Sequence, residues 1–315
     1  MMEMKCLIID TMHESLQPLL AAIGVQCDYC PEISPAEVLE KIAGYDGIIV
    51  RSKMNLDAQF FEKATSLKFV ARAGAGMDKI DIEAANSKSV TLLNAPEGNA
   101  NALAEHALGM LLSILNHIPT ANSEVKNKLW RREANRGHEL SGKCVGIIGY
   151  GHMGKAFAQK LSLLGCRVVA YDKYKTNFSD DYAKEVTVDN LFVQAQIVSV
   201  HVPLDAENKH FINTTFFEKL TNDIWFVNTS RGEVVDTAAL INAMNSGKVR
   251  AAALDVLENE KLNALTPQQH KDFEQLAVLN NVLLTPHVGG WTMESYEKIN
   301  HVLVNKILQF KLSVS

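Results

Sequence analysis

The chain of 315 residues predicts an α/β protein of two domains, on three observations. Its length is roughly twice the common domain size of about 150 residues. Short apolar runs alternate with helix-period segments almost throughout, the pattern of a sheet covered by helices. One strand-like run opens directly into a glycine-rich turn, Gly149-Tyr150-Gly151-His152-Met153-Gly154.

Composition narrows the class. With 47% hydrophobic and 21% charged residues the chain is ordinary for a globular protein, which excludes disorder. The 31 Lys and Arg against 36 Asp and Glu leave a formal charge of −5. No basic block is present, so nucleic acid is not expected as a partner. No uninterrupted apolar run reaches membrane-spanning length, so no membrane is expected either. Residues 1–10 read as strand-like, without a signal-peptide cleavage pattern. Five cysteines make a poor disulfide framework and fit a reducing cytoplasm. Cys27 and Cys30 form a C-x-x-C with no second pair or histidine cluster nearby, so no metal site is expected. Cys6, Cys144 and Cys166 lie in or beside apolar runs and read as buried thiols.

Taken in order, 5–9 reads as a strand, 14–23 and 35–43 as helices, and 47–50 as a strand. Residues 58–64 look helical, and 67–71 and 90–93 strand-like. The segment 101–116 carries Leu103, Ala107, Met110, Leu111 and Ile114 on a broad apolar face, the mark of a buried helix. Pro119 breaks that pattern, and the charged stretch 123–136, with its lone Trp130, reads as an exposed arm. The βα alternation restarts at 143 and runs to 284, and 293–312 reads as one long helix.

The strongest motif is the glycine turn in its setting. A strand over 143–149 precedes it, and a helix-period stretch follows to 165 with Met153, Phe157, Leu161 and Leu164 on one face. A second strand, 167–171, ends at Asp172, 23 residues after Gly149. Together these form a dinucleotide-binding fingerprint. Gly149 permits the tight turn, Gly151 lets the backbone approach a pyrophosphate, and Gly154 lets helix pack on strand. The helix N-terminus offers free N–H groups and a positive dipole end. Asp172 suits the adenosine ribose hydroxyls and would repel a 2′-phosphate, which favours NAD. Lys173 and Lys175 follow closely and would soften that discrimination. The Y-x-x-x-K of Tyr171 and Lys175 overlaps the strand end and is a chance match.

In open α/β sheets, ligands sit beyond the carboxyl ends of the strands. Polar residues recur there: His201-Val202-Pro203, Asn228-Thr229-Ser230-Arg231-Gly232, Asp255 with Glu258 and Glu260 beyond, and Thr285-Pro286-His287. Of these, Arg231, Glu260 and His287 form a working catalytic set. A nicotinamide dehydrogenase needs a group that moves a proton as hydride moves, and histidine titrates in the useful range. A neighbouring carboxylate orients the ring and favours its charged form. An arginine holds a substrate carboxylate in two hydrogen bonds and polarises the reacting carbonyl. His106, His117 and His301 read as structural.

These residues resemble the D-isomer-specific 2-hydroxyacid dehydrogenases over essentially the whole chain. The segments that carry the resemblance are Arg72-Ala73-Gly74-Ala75-Gly76-Met77-Asp78, Asn94-Ala95-Pro96-Glu97-Gly98-Asn99, Ala104-Glu105-His106, the glycine turn, residues 228–232, Asp255-Val256-Leu257 and Thr285-Pro286-His287-Val288-Gly289-Gly290. The resemblance implies two doubly wound parallel-sheet domains, a Rossmann dinucleotide-binding domain inserted into a flavodoxin-like substrate domain. Residues 1–98 would begin the substrate domain, 99–290 would form the NAD-binding domain with a dimerisation arm over 100–136, and 291–315 would return to the first. Two chain crossings near Asn99 and Gly290 would form a hinge. The family's catalytic Arg, Glu and His fall on Arg231, Glu260 and His287, and its carboxamide partner on Asp255. The cofactor-binding set then comprises Gly149, Gly151, His152, Met153, Gly154, Asp172, His201, Val202, Pro203, Thr229, Ser230, Arg231, Asp255, His287, Gly289 and Gly290.

Within the family the chain is most similar to the phosphoglycerate dehydrogenases. The resemblance puts substrate binding on Arg51, Ser52, Arg72, Ala75, Gly76 and Asn99, with Arg132 reaching the partner's site. Arginines suit a dianionic phosphate. The implied reaction is NAD-dependent oxidation of 3-phosphoglycerate in a cytoplasmic homodimer, without the C-terminal regulatory domains of longer members. Three positions depart from the family pattern: Lys261 replaces a Pro, Asn208 a Thr, and Trp291 a small residue. Trp291 would narrow the pocket, which keeps a glyoxylate or hydroxypyruvate reductase as the alternative. An NAD-sensing binding protein of corepressor type is the alternative from another class.

Overall fold

The computed structural model describes residues 4–314; residues 1–3, where the expected N-terminal strand-like run begins, and residue 315 lie outside it. The chain divides into two compact units, Met1–Ala100 with Trp291–Ser315, and Asn101–Gly290.

The first unit holds β1 (Met4–Ile8), β2 (Val25–Tyr29), β3 (Gly47–Val50), β4 (Phe69–Arg72) and β5 (Thr91–Asn94). They pair in the order β2-β1-β3-β4-β5, every pairing parallel, which is the flavodoxin-like arrangement. β3 is Gly-Ile-Ile-Val and buried throughout, as expected of a strand covered on both faces. One face packs Phe60, Phe61, Leu56 and Val38; the other packs Met4, Ile8 and Phe69 against Ile299, Leu303 and Ile307. The last three lie on the Met293–Ser313 helix, so the chain's final segment completes a core begun by its first strand. Lys311 is buried at that helix's end, its Nζ donating to the carbonyls of Ile23 and Gly24 at 2.9 and 2.7 Å.

The second unit holds β6 (Cys144–Ile148), β7 (Arg167–Tyr171), β8 (Lys184–Glu185), β9 (Ile197–Val200), β10 (Ile224–Asn228), β11 (Val249–Leu254) and β12 (Val282–Leu284). Their order is β12-β11-β10-β9-β6-β7-β8, again all parallel. The order reverses between β6 and β9, which places the ligand crevice of a Rossmann sheet beside the glycine turn that follows β6.

Several elements differ from expectation. Val25–Tyr29 is a strand, hidden in the sequence because this edge strand keeps four of five residues partly exposed. The Ile82–Ser87 helix, capped by Asp81, is too short for its period to register. The helix expected at 101 starts at Pro96, whose fixed φ suits a first helical turn. Residues 118–126 of the expected breaker and arm are helical: His117 turns left-handed at φ +51° and Pro119 sits in the first turn of Ile118–Lys126. Cys166 is only half-buried, because it lies in the turn before β7 rather than inside the strand. All five cysteines are free thiols. Among the described residues no helix is long and apolar enough to cross a membrane.

Candidate active site

The glycine turn has room for a ligand where a pyrophosphate would lie. Gly149 takes φ +92°, and a Cβ there would stand 2.8 Å from the His201 carbonyl. At Gly154 a Cβ would stand 2.2 Å from the Gly149 carbonyl, so strand and helix meet there only without a side chain. Gly151 differs: a Cβ would meet nothing within 4 Å, leaving open space at the N-cap of the His152–Leu163 helix. That N-cap has no side-chain hydrogen bond, and a helix N-terminus of this kind suits an anion. Of the two residues that follow, His152 is exposed and Met153 half-buried.

Asp172 closes the loop beyond β7. Its Oδ2 accepts from Tyr150 N at 2.8 Å, and its Oδ1 from the amides of Tyr174 and Lys175 at 3.0 and 3.1 Å. The two lysines behind it are engaged. Lys173 pairs with Glu207 at 2.5 Å, and Lys175 donates to the Tyr150 carbonyl at 2.8 Å.

Two buried polar atoms near the strand ends lack any protein partner: His201 Nδ1 and Thr229 Oγ1. They stand just beyond neighbouring strands β9 and β10, whose Val200 and Asn228 are paired in register. Burial pushes the His201 imidazole down to about 3, so it is neutral, and its Nε2 stands 2.8 Å from Ser199 Oγ. Beyond Val202, the Pro203 carbonyl accepts from Asn208, which also bonds Asp205. The Asn that departs from the family pattern therefore ties this loop. Unsatisfied buried atoms beside an open N-cap fit a dinucleotide, with Gly149, Gly151 and Asp172 as its frame.

The catalytic candidates of the second unit are held by side chains that fix their turns. Asn228 Oδ1 accepts from the amide and hydroxyl of Ser230 at 3.0 and 2.9 Å, and its Nδ2 donates to the Arg231 carbonyl at 3.0 Å. Gly232 follows, and a Cβ there would stand 1.9 Å from the Leu257 carbonyl. The Arg231 turn thus packs directly on the backbone that leads to Glu260. His287 Nδ1 lies 2.8 Å from Glu260 Oε1, with both side chains nearly half exposed. With a carboxylate as partner, Nδ1–H donates to Glu260 Oε1, which leaves Nε2 of the neutral ring as an acceptor.

Asp255 is the hub beneath that histidine. It is 2% exposed, and burial by itself would raise its carboxyl. Hydrogen bonds from His106, Thr285, Gly289 N and Val288 N outweigh that and hold it below the usual carboxylate range. Thr285 Oγ1 donates to Oδ1 at 2.6 Å, Val288 N to Oδ1 at 3.0 Å and Gly289 N to Oδ2 at 2.8 Å. His106 Nε2 is 3.3 Å from Oδ1, so a histidine that reads as merely structural supports the hub. Gly290 ends the unit, half-buried.

The first unit gathers its candidates at the carboxyl ends of β3, β4 and β5. Asp10, just past β1, accepts from the amides of Arg51, Ser52 and Lys53, the first at 2.7 Å. Sequence reasoning missed Asp10, because its role depends on a loop some forty residues away. Arg51 lays its guanidinium 3.4 Å from the centre of the Trp291 ring. Arg72 is the last residue of β4, and Asn94 Nδ2 fixes the next loop by donating to the Ala75 carbonyl at 2.8 Å, beside half-buried Gly76. Asn99 Oδ1 is buried without a partner. Arg132, in the second unit, is exposed. No group of three metal-ligating side chains occurs among the described residues.

A glycine turn at the switch point of a parallel sheet defines a dinucleotide-binding fold, and the His–Glu pair at neighbouring strand ends is its candidate acid–base site. Residues 108–289 match the family described as D-isomer specific 2-hydroxyacid dehydrogenase, NAD binding domain, and the chain belongs to that family. The D-3-phosphoglycerate dehydrogenase of Archaeoglobus fulgidus is 34% identical over 307 residues, covering 97% of this chain and 57% of the relative. The hydroxypyruvate reductase of Thermotoga maritima is 36% identical over 273 residues, covering 87% of each. A glyoxylate reductase structure from Paecilomyes thermophila superposes with a TM-score of 0.85 at 26% identity, covering 98% of this chain and 95% of that one. The chain spans about half the length of the curated phosphoglycerate dehydrogenases it matches.

Proposed function

We propose that the chain is an NAD-dependent oxidoreductase of D-2-hydroxy acids that converts 3-phosphoglycerate to 3-phosphohydroxypyruvate, a step of serine biosynthesis. The observation that carries the reading is the His287–Glu260 pair at 2.8 Å, beyond neighbouring strand ends of the sheet that also carries the glycine turn. NAD, when bound, supplies the hydride acceptor. Oxidising the 2-hydroxyl also releases a proton, and His287 Nε2 is the free acceptor for it. Glu260 holds the ring by Nδ1 and offsets the charge that the ring gains. Arg231, fixed by Asn228, takes the substrate carboxylate and polarises the C2 oxygen. Arg51 and Arg72, with Arg132 supplied by a partner copy, suit a dianionic phosphate, and Asn99 Oδ1 offers a buried acceptor for a substrate hydroxyl.

A cytoplasmic homodimer built on the arm is part of the same reading. Ile118, Val125, Leu129 and Trp130 are exposed along it, the last at 78%. Such a cluster favours burial against a second copy.

One observation favours a second reading, reduction of hydroxypyruvate: the Thermotoga maritima reductase matches over 87% of its own length. Following NADH absorbance with 3-phosphohydroxypyruvate, hydroxypyruvate, glyoxylate and pyruvate in parallel separates the two. The proposal expects the phosphate ester to have the highest kcat/KM. Turnover of hydroxypyruvate with none of the ester would sink it.

A further inference from the structure

Arg51 lies flat against an aromatic shelf. Its Cζ is 3.4 Å from the centre of the Trp291 ring and 5.6 Å from that of Tyr296. The two rings are themselves in contact at 4.9 Å, and Tyr296 is anchored by its hydroxyl donating to the Thr11 carbonyl at 3.1 Å. An edge contact with His13, ring centres 5.5 Å apart, also braces Tyr296. Below, Asp10 holds the Arg51 amide at 2.7 Å. Backbone and guanidinium are therefore both fixed, yet no acceptor among the described residues takes a hydrogen bond from the guanidinium.

A guanidinium stacked on a ring uses its face, and its five N–H donors radiate in the plane of the stack. Stacking orients that fork without occupying it, and the fork's geometry matches two oxygens of one anion. In solution an arginine so placed would sample many rotamers, and ordering it on binding costs affinity. The shelf removes that cost in advance. Trp291, which sequence reasoning treats as a limit on substrate size, is 44% exposed and has one face covered by Arg51.

We propose that Trp291, braced by Tyr296, is a positioning residue that presents Arg51 to the second anionic group of the substrate. It thereby selects a 2-oxo or 2-hydroxy acid bearing a phosphate ester over its unphosphorylated analogue. The inference rests on the substrate reading above, and its test is arranged so that the two fail separately.

Trp291→Ala and the conservative Trp291→Phe are compared with wild type on 3-phosphohydroxypyruvate and on hydroxypyruvate, which lacks only the phosphate. Trp291→Ala is expected to raise KM for the ester about tenfold, equivalent to about 1.4 kcal/mol. KM for hydroxypyruvate should move less than about threefold and kcat for the ester should fall far less than KM rises, with Phe restoring most of the loss. Equal changes for both acids would overturn the inference. So would a Trp291→Ala variant that gains turnover of 4-methyl-2-oxopentanoate while keeping its KM for the ester, since Trp291 would then be a size limit. If wild type ignores the ester, the substrate reading fails alone. Calorimetric titration of inorganic phosphate, which needs no turnover, still decides the role of Trp291. A phosphate affinity that weakens about tenfold in Trp291→Ala and recovers in Trp291→Phe supports it, and an unchanged affinity overturns it.

Discussion

His287 holds its Nδ1 2.8 Å from Glu260 Oε1 while its own backbone sits at φ +55°. Left-handed backbone is unfavourable for a residue with a Cβ and persists only where the surroundings over-determine it. Here Asp255 does so: its carbonyl accepts from His287 N at 2.8 Å and its carboxylate grips the two amides that follow. The ring's aim at Glu260 thus originates in a buried carboxylate thirty-two positions upstream.

His287→Gln is expected to lower kcat by about 10³-fold or more while NAD still binds, and Glu260→Gln by about 10²-fold. Steady-state kinetics with a cofactor-binding titration check both. Near-normal turnover in His287→Gln would remove the residue from its assigned role.

Asp255→Asn should destabilise the protein, with the deficit dependent on pH. Because the folded carboxyl is held below its ordinary value, its contribution is complete above the usual carboxylate pKa, about 3.9, and is lost as pH falls through the lowered folded value. Chemical unfolding at stepped pH should show wild type and variant separated at neutral pH and converging in acid. A gap that widens towards low pH would contradict the sign.

Asp172→Gly should relax the preference for NAD over NADP by about tenfold or more in the ratio of kcat/KM values. The change frees three amides and removes the carboxylate that would repel an incoming 2′-phosphate. An unchanged ratio would mean the ribose is read elsewhere.

Gly232→Ala places a Cβ 1.9 Å from the Leu257 carbonyl, where only backbone movement can relieve the clash. The expected result is a loss of about 1–3 kcal/mol in stability and a kcat loss larger than any change in NAD affinity. Thermal unfolding and kinetics measured on one preparation test it, and wild-type values would disprove the close approach.

The two parallel sheets and the glycine turn were legible because each leaves a local pattern: a short apolar run, a helix period, or glycines at fixed offsets. The positions of Arg231, Glu260 and His287 just beyond strand ends were legible too, and their catalytic roles are proposed from there. Val25–Tyr29 was not, since an exposed edge strand loses the apolar run that marks the others. Asp10 and Tyr296 were not either, and for His106 and Asn228 the partners they hold were not. Each acts by holding another residue, and nothing in the sequence marks which turn a side chain will reach. Trp291 showed the limit most clearly. Its size was evident, but its contact with Arg51, 240 positions away in the chain, exists only in the fold.

Hydride transfer from C2 of the acid is the central claim, and isotope transfer tests it most directly. Incubating the protein with NAD and 3-phosphoglycerate deuterated at C2 should put deuterium on C4 of the nicotinamide, read by NMR of the recovered NADH, and His287→Gln should abolish it. Recovery of unlabelled cofactor with 3-phosphoglycerate, alongside labelled NADH from C2-deuterated glycerate, would contradict the account of the substrate. Unlabelled cofactor from both acids would contradict the account of the reaction.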